Sequence, residues 1–138
     1  MRIFLCSLLL LISSLSAAAE IVVVVHQDSP LDKLSQRDVI NIFLAKTNRN
    51  IDGERVTALE IDNSDYKEVF YKTISGKTIP QLKSYWSALI FTGKGKPPKS
   101  FNESESLVAE LRSNLYAITY LPADQVTSSM KIVYNFQY

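Results

Sequence analysis

Ser84-Tyr85-Trp86-Ser87-Ala88-Leu89-Ile90-Phe91-Thr92-Gly93-Lys94-Gly95-Lys96-Pro97-Pro98-Lys99 is the stretch whose reading decides the fold. Its first half is the end of an amphipathic helix. Ile79, Leu82, Trp86, Leu89 and Ile90 recur at spacings of three and four, which places them on one helical face. Its second half is a break. Gly93 and Gly95 permit backbone angles that other residues avoid, and Pro97-Pro98 cannot continue a helix. A core helix therefore runs into a basic loop carrying Lys94, Lys96 and Lys99. Such a loop is either a solvated helix stop or a surface that meets an anion or an acidic partner.

Outward from this stretch the charge is uneven. No acid occurs from Val69 to Asn102, yet Lys72, Lys77, Lys83, Lys94, Lys96 and Lys99 lie there. Acids cluster on both sides, at Glu60, Asp62, Asp65 and Glu68, and at Glu103, Glu105 and Glu110. Helix-end electrostatics explain several of these residues, since acids favour first turns and bases last turns. They do not explain the lysine loop as a whole.

The N-terminus reads as a leader. Met1-Arg2 is a short positive start, residues 3–15 are almost wholly apolar, and Ala17-Ala18-Ala19 is the small-residue pattern that precedes cleavage. The expected division is a signal peptide over 1–19 and one domain over 20–138, exported to a bacterial periplasm. The apolar run is too short for a good membrane span, so no transmembrane segment is expected after cleavage. Removing the leader takes away Arg2 and Cys6, the only cysteine. The 14 acids are then matched by the remaining Lys and Arg, of which the whole chain has 15. A neutral balance argues against nucleic acid as a partner. With no cysteine left, disulfides and thiol chemistry are excluded from residues 20–138.

Taken in order, the chain alternates strand and helix. Ile21–Val25 is an unbroken β-branched run, the mark of a strand covered on both faces. Ser35 and Asp38 form the start of a helix with Val39, Ile40, Phe43 and Leu44 on its apolar face. Arg55–Ile61 reads as a second strand. Asp62-Asn63-Ser64-Asp65 caps a helix whose inward face is expected to carry Tyr66, Val69, Phe70 and Thr73. Thr78 and Gln81 open the next helix, with Pro80 tolerated in its first turn. Asn102 caps a helix over 103–113, with Leu107, Val108 and Leu111 inward. Residues 115–121 and 130–136 read as the last strands, and the segment between them has room for one helical turn. The fold class is α/β, a mostly parallel sheet with helices on both faces.

Catalytic chemistry finds little support. His26 is the only histidine and stands at the end of a buried strand, where a hydrogen-bonded structural role is the common one. Familiar zinc sites and Cys-His pairs are excluded, and no metal or cofactor is implied. Ser75-Gly76-Lys77-Thr78 is not a phosphate loop, because the motif needs glycine where Tyr71 stands and a strand where a helix is read. Asp62–Asp65 lies between a strand end and a helix start, where α/β sheets bind ligands through free backbone N–H groups. Asp62 and Asp65 oppose an anion at that helix start, which favours a self-capped helix.

Three segments carry a family resemblance. Leu34-Ser35-Gln36-Arg37-Asp38-Val39-Ile40-Asn41-Ile42-Phe43-Leu44-Ala45-Lys46 resembles the L-S-x-x-x-V-x-x-I-F-L-G-K segment of phosphate-binding-protein-like domains, in the type 2 periplasmic solute-binding superfamily. Tyr85–Gly95 resembles a signature of the small, single-lobe members, and Tyr116-Ala117-Ile118-Thr119-Tyr120 resembles their G-A-I-G-Y strand. The match spans Ile21 to Val133. It implies one lobe of such a protein, a non-enzymatic solute-binding role related to phosphate transport, and a small oxyanion or polar solute as ligand.

Full-length relatives of that kind grip phosphate with an Arg-x-Asp-x-Ser-Gly-Thr segment after the second strand. Here Asp62 and Ser64 match it, but Glu60 stands at the arginine, Asp65 at the glycine and Tyr66 at the threonine. The bidentate donor is lost and two negative charges are gained. The candidate ligand-binding residues are therefore Ser35, Asp62, Asn63, Ser64, Thr92, Lys94 and Lys96, with phosphate itself in question. The alternative is an interaction module that keeps the lobe as scaffold and meets a periplasmic or membrane-protein partner.

Overall fold

The computed structural model describes residues 20–48, 53–62 and 64–136; Asn63 lies outside them. The leader expected over 1–19 also lies outside the described residues. The elements are β1 (Ile21–His26), α1 (Gln36–Phe43), β2 (Thr57–Ile61), α2 (Asp65–Ser75), α3 (Ile79–Phe91), β3 (Lys99–Phe101), α4 (Ser104–Ser113), β4 (Ala117–Pro122) and β5 (Met130–Asn135). A single 3-10 turn at Ala123–Gln125 links β4 towards β5.

The strands form one open sheet in the order β3-β2-β4-β1-β5. β2 pairs in parallel with β3 and with β4, while β1 is antiparallel to both β4 and β5. Four strands thus run in one direction and β1 runs against them. The expected α/β sheet with helices on both faces is what the chain forms. Side-chain alternation along β1 shows why its sequence is uniformly apolar. Ile21, Val23 and Val25 point into a core shared with α1, α2 and α3, and Val22 and Val24 into a second core with Leu107 and Leu111 of α4. A strand buried on both faces has no polar position to offer.

The two capping boxes form as read. Asp38 N–H donates to Ser35 Oγ, and the Asp38 carboxylate accepts from Ser35 N–H. Gln81 and Thr78 reciprocate in the same way at the start of α3. Each box satisfies donors that a helix start otherwise leaves unpaired.

Three expectations are corrected. The short β3 stands where a plain loop was read; three residues lie below the length at which a periodic pattern shows. α2 is rotated from the expected face: Phe70, Tyr71 and Ile74 are buried, and Val69 and Thr73 are exposed. Two overlapping apolar stripes share Phe70, and the one containing Tyr71 prevails because its hydroxyl finds a buried carboxylate at Glu60. On α3, Leu82 and Trp86 are buried as expected, but Ile90 is 57% exposed. The chain after α3 folds back so closely that a Cβ at Gly95 would lie 3.1 Å from Leu89 Cδ2 and 3.2 Å from Ala45 Cβ. That return covers Leu89 and leaves Ile90 outside. Four boundaries also shift slightly: Glu103 rather than Asn102 stands at the α4 cap, β2 begins at Thr57, β4 begins at Ala117 and β5 ends at Asn135.

Candidate functional site

The junction of β2 and α2 is built around one buried acid. Alternation on β2 sends Leu59 and Ile61 to the α4 side, so Glu60 must face the α1–α3 side. Glu60 is only 2% exposed there. Its Oε2 accepts hydrogen bonds from the hydroxyls of Tyr71 at 2.8 Å and Tyr120 at 2.9 Å. Its Oε1 lies 3.1 Å from Lys67 Nζ, which also stands 3.5 Å from Asp62 Oδ1. A buried carboxylate is tolerable only with such company, because the cost of drying an isolated charge is many kcal/mol. Here an ammonium and two phenols replace the lost water.

The tyrosines are in turn held by rings. Tyr120 stacks on Phe70 with centroids 3.7 Å apart and meets Tyr66 edge-on at 5.8 Å. Burial raises the Tyr71 and Tyr120 hydroxyls well above the ordinary phenol range, and the Glu60 charge pushes them further. Burial also raises Tyr66. The pH consequence has a definite sign. Above pH 10 the unfolded chain releases phenolic protons that the folded chain retains, so stability falls as pH rises. Each buried tyrosine contributes up to about 1.4 kcal/mol per pH unit. A Tyr71→Phe/Tyr120→Phe variant should show a shallower alkaline limb in denaturant titrations run from pH 9 to 12. An unchanged slope would contradict the assignment.

Beside this network the α2 mouth is only partly self-satisfied. Ser64 is the cap residue, but its side chain makes no cap bond. Its Oγ is buried without a geometrically complete hydrogen bond, with the Tyr66 hydroxyl as a polar neighbour. Asp62 N–H donates to the Phe101 carbonyl at 2.8 Å, which ties the mouth to β3. Asp65 and Glu68 add negative charge to the first turn of α2.

The candidate residues divide into two groups. Ile61, Phe101, Pro122 and Asn135 mark one end of the sheet, where Asp62 and Ser64 lie. Ser35 stands near this side, since Leu34 N–H donates to Val133 of β5, but its hydroxyl is engaged in the α1 capping box. Thr92, Lys94 and Lys96 belong to the other end. Their loop rests on Ala45, just before the segment whose Asn48 carbonyl accepts from Val56 at the start of β2. The Thr92 hydroxyl donates to Ala88 O, closing α3, and Lys94 and Lys96 are exposed. The six candidates among the described residues therefore do not surround one ligand. Lys67, Tyr71 and Tyr120 were missed among the candidates. The available signal was an acid inside a strand between Leu59 and Ile61, which demands buried partners.

His26 is structural, its Nδ1 accepting from Asp28 N–H at 2.9 Å. Among the described residues no helix is long and apolar enough to cross a membrane.

No family model matches the chain, and no curated protein does. Solved structures do. One is a candidate phosphate ABC transporter substrate-binding protein with bound phosphate from Clostridium perfringens, at TM-score 0.64 and 15% identity over 83% of this chain and 44% of that one. Another is an ABC-type phosphate transport receptor from Vibrio cholerae, at TM-score 0.61 and 12% identity over 83% and 45%. A third is a possible phosphate binding protein from Planctomyces limnophilus DSM 3776, at TM-score 0.61 and 15% identity over 83% and 40%. The chain spans less than half the length of each. It has the phosphate-binding-protein-like fold, an open α/β sheet that matches a single lobe of those proteins.

Proposed function

We infer that this is a non-enzymatic protein of the solute-binding kind, exported to the periplasm, whose β2–α2 mouth no longer selects phosphate. The observation that carries the reading is Glu60. It stands where the resembling segment places an anion-gripping arginine, and it has drawn Lys67, Tyr71 and Tyr120 onto itself. An incoming oxyanion would meet Asp62 and Asp65 at the rim, and the nearest ammonium is already paired with two carboxylates. The buried Ser64 hydroxyl and the first N–H groups of α2 suit the acceptor atoms of a small polar solute, and the carboxylates of Asp62 and Asp65 favour one of neutral or positive charge.

Titration calorimetry tests this directly. Phosphate and sulfate should produce no saturable heat up to millimolar concentration at physiological salt, and a micromolar phosphate dissociation constant would overturn the reading. A second reading, a lobe kept as scaffold for a protein partner, is favoured by the same network, since it turns a ligand-gripping position into core. It prevails if neutral and cationic solutes are also without heat.

A further inference from the structure

The end of the sheet remote from the β2–α2 mouth carries a different kind of surface. Phe91, the last residue of α3, is 92% exposed, and Ile90 before it is more than half exposed. An aromatic ring standing free in water costs the molecule solubility and contributes nothing to its core. The segment that bears it is firmly built. Thr92 N–H donates to Ala88 O, Gly93 N–H to Ile90 O and Lys94 N–H to Leu89 O. Gly93 takes a left-handed φ of 66°, and Gly95 then packs against Leu89 and Ala45. Three of the helix-end carbonyls that would repel an anion, those of Ala88, Leu89 and Ile90, are thereby occupied.

Two cations near this tip are engaged and two are open to solvent. Lys99 lies 3.5 Å from Glu110, and Lys77 sits over the Tyr85 ring. Lys94 and Lys96 are exposed and form no ion pair among the described residues. Lys46, also exposed, follows the Ala45 that Gly95 touches.

We propose that the tip formed by Ile90, Phe91, Lys94 and Lys96 docks the protein on an anionic lipid surface. Phe91 and Ile90 enter the headgroup layer, and the lysines lie over the lipid charges. Exposed apolar side chains at Ile90 and Phe91, followed within a few residues by exposed lysines, match the layered chemistry of a bilayer interface, apolar below and anionic above. A projecting ring needs no preformed pocket in a deformable layer, whereas a folded acidic partner would have to supply one. The proposal is independent of what the β2–α2 mouth binds.

The test is sedimentation of the protein, recovered after export of the full chain, with vesicles of 30% phosphatidylglycerol in phosphatidylethanolamine or of phosphatidylcholine alone. The protein should pellet with the anionic vesicles at low salt and be released by high salt. Lys94→Ser/Lys96→Ser should weaken partitioning about fivefold per lysine. Phe91→Ser should weaken it about tenfold. Both variants should melt like the parent, since none of the three side chains is buried. Absence of pelleting with anionic vesicles would overturn the proposal, as would equal pelleting of parent and variants. Loss of an acidic periplasmic protein from pull-downs by the variants, with no vesicle binding by the parent, would also overturn it and assign the tip to a protein partner.

Discussion

Phe70→Ala is expected to cost about 3–5 kcal/mol, the range for removing a fully buried phenyl ring. Phe70 is fully buried in the larger core. Its ring is stacked on Tyr120 and meets Phe43 at 4.9 Å, Tyr71 at 5.2 Å and Phe136 at 5.8 Å, each edge-on. These contacts join α1, α2, β4 and the end of the chain, so the cavity cannot close by moving one side chain. A domain of this size is stable by about 5–15 kcal/mol, so the loss is a large share of the whole. The melting temperature should fall by about 10–20 °C. Phe70→Leu keeps most of the volume and should lose less than half as much. A Phe70→Ala variant melting with the parent would show that this cluster does not hold the sheet to its helices.

Much of this arrangement was legible because it rests on local rules. The β-branched run at Ile21–Val25 could only be a strand buried on both faces, and it lies inside the sheet between β4 and β5. The Ser35–Asp38 and Thr78–Gln81 pairs announced their helices, since capping is decided within four residues. The rotation of α2 was not legible. Its sequence offers two stripes that share Phe70, and the choice depends on Glu60 and Tyr120, which are distant along the chain. β3 escaped for a similar reason: its pairing is set by β2, not by its own three residues.

The candidate site was half legible. Glu60 was visible as a departure from the phosphate-gripping pattern, but the pattern names only the residue that is absent. What answers a buried charge comes from wherever the fold brings a donor, here from α2 and β4. The basic loop was legible as a charge anomaly. Its apolar apex was not, because Ile90 shares the spacing of the buried face and only the return of the chain at Gly95 separates them.

Lys67→Met tests the network at its weakest member and is expected to cost about 2–4 kcal/mol, as when one partner of a buried ion pair is removed. The methionine preserves the aliphatic stem, so packing changes little, yet Glu60 is left with two phenols and no counter-charge. Lys67 is itself 19% exposed, which places the cost at the lower part of the range seen for fully buried pairs. Glu60→Gln should be much milder, about 1 kcal/mol, because its amide oxygen still accepts from Tyr71 and Tyr120 and Lys67 keeps Asp62. The double variant Glu60→Gln/Lys67→Met then removes both charges and should be more stable than Lys67→Met alone. The coupling between the two positions should reach about 1–3 kcal/mol in denaturant unfolding at neutral pH. Simple additivity would mean that water, not Lys67, neutralises Glu60. In that case the mouth of α2 would be open enough to admit a solute to the carboxylate itself, and the acid would have to be counted among the ligand contacts instead of the core.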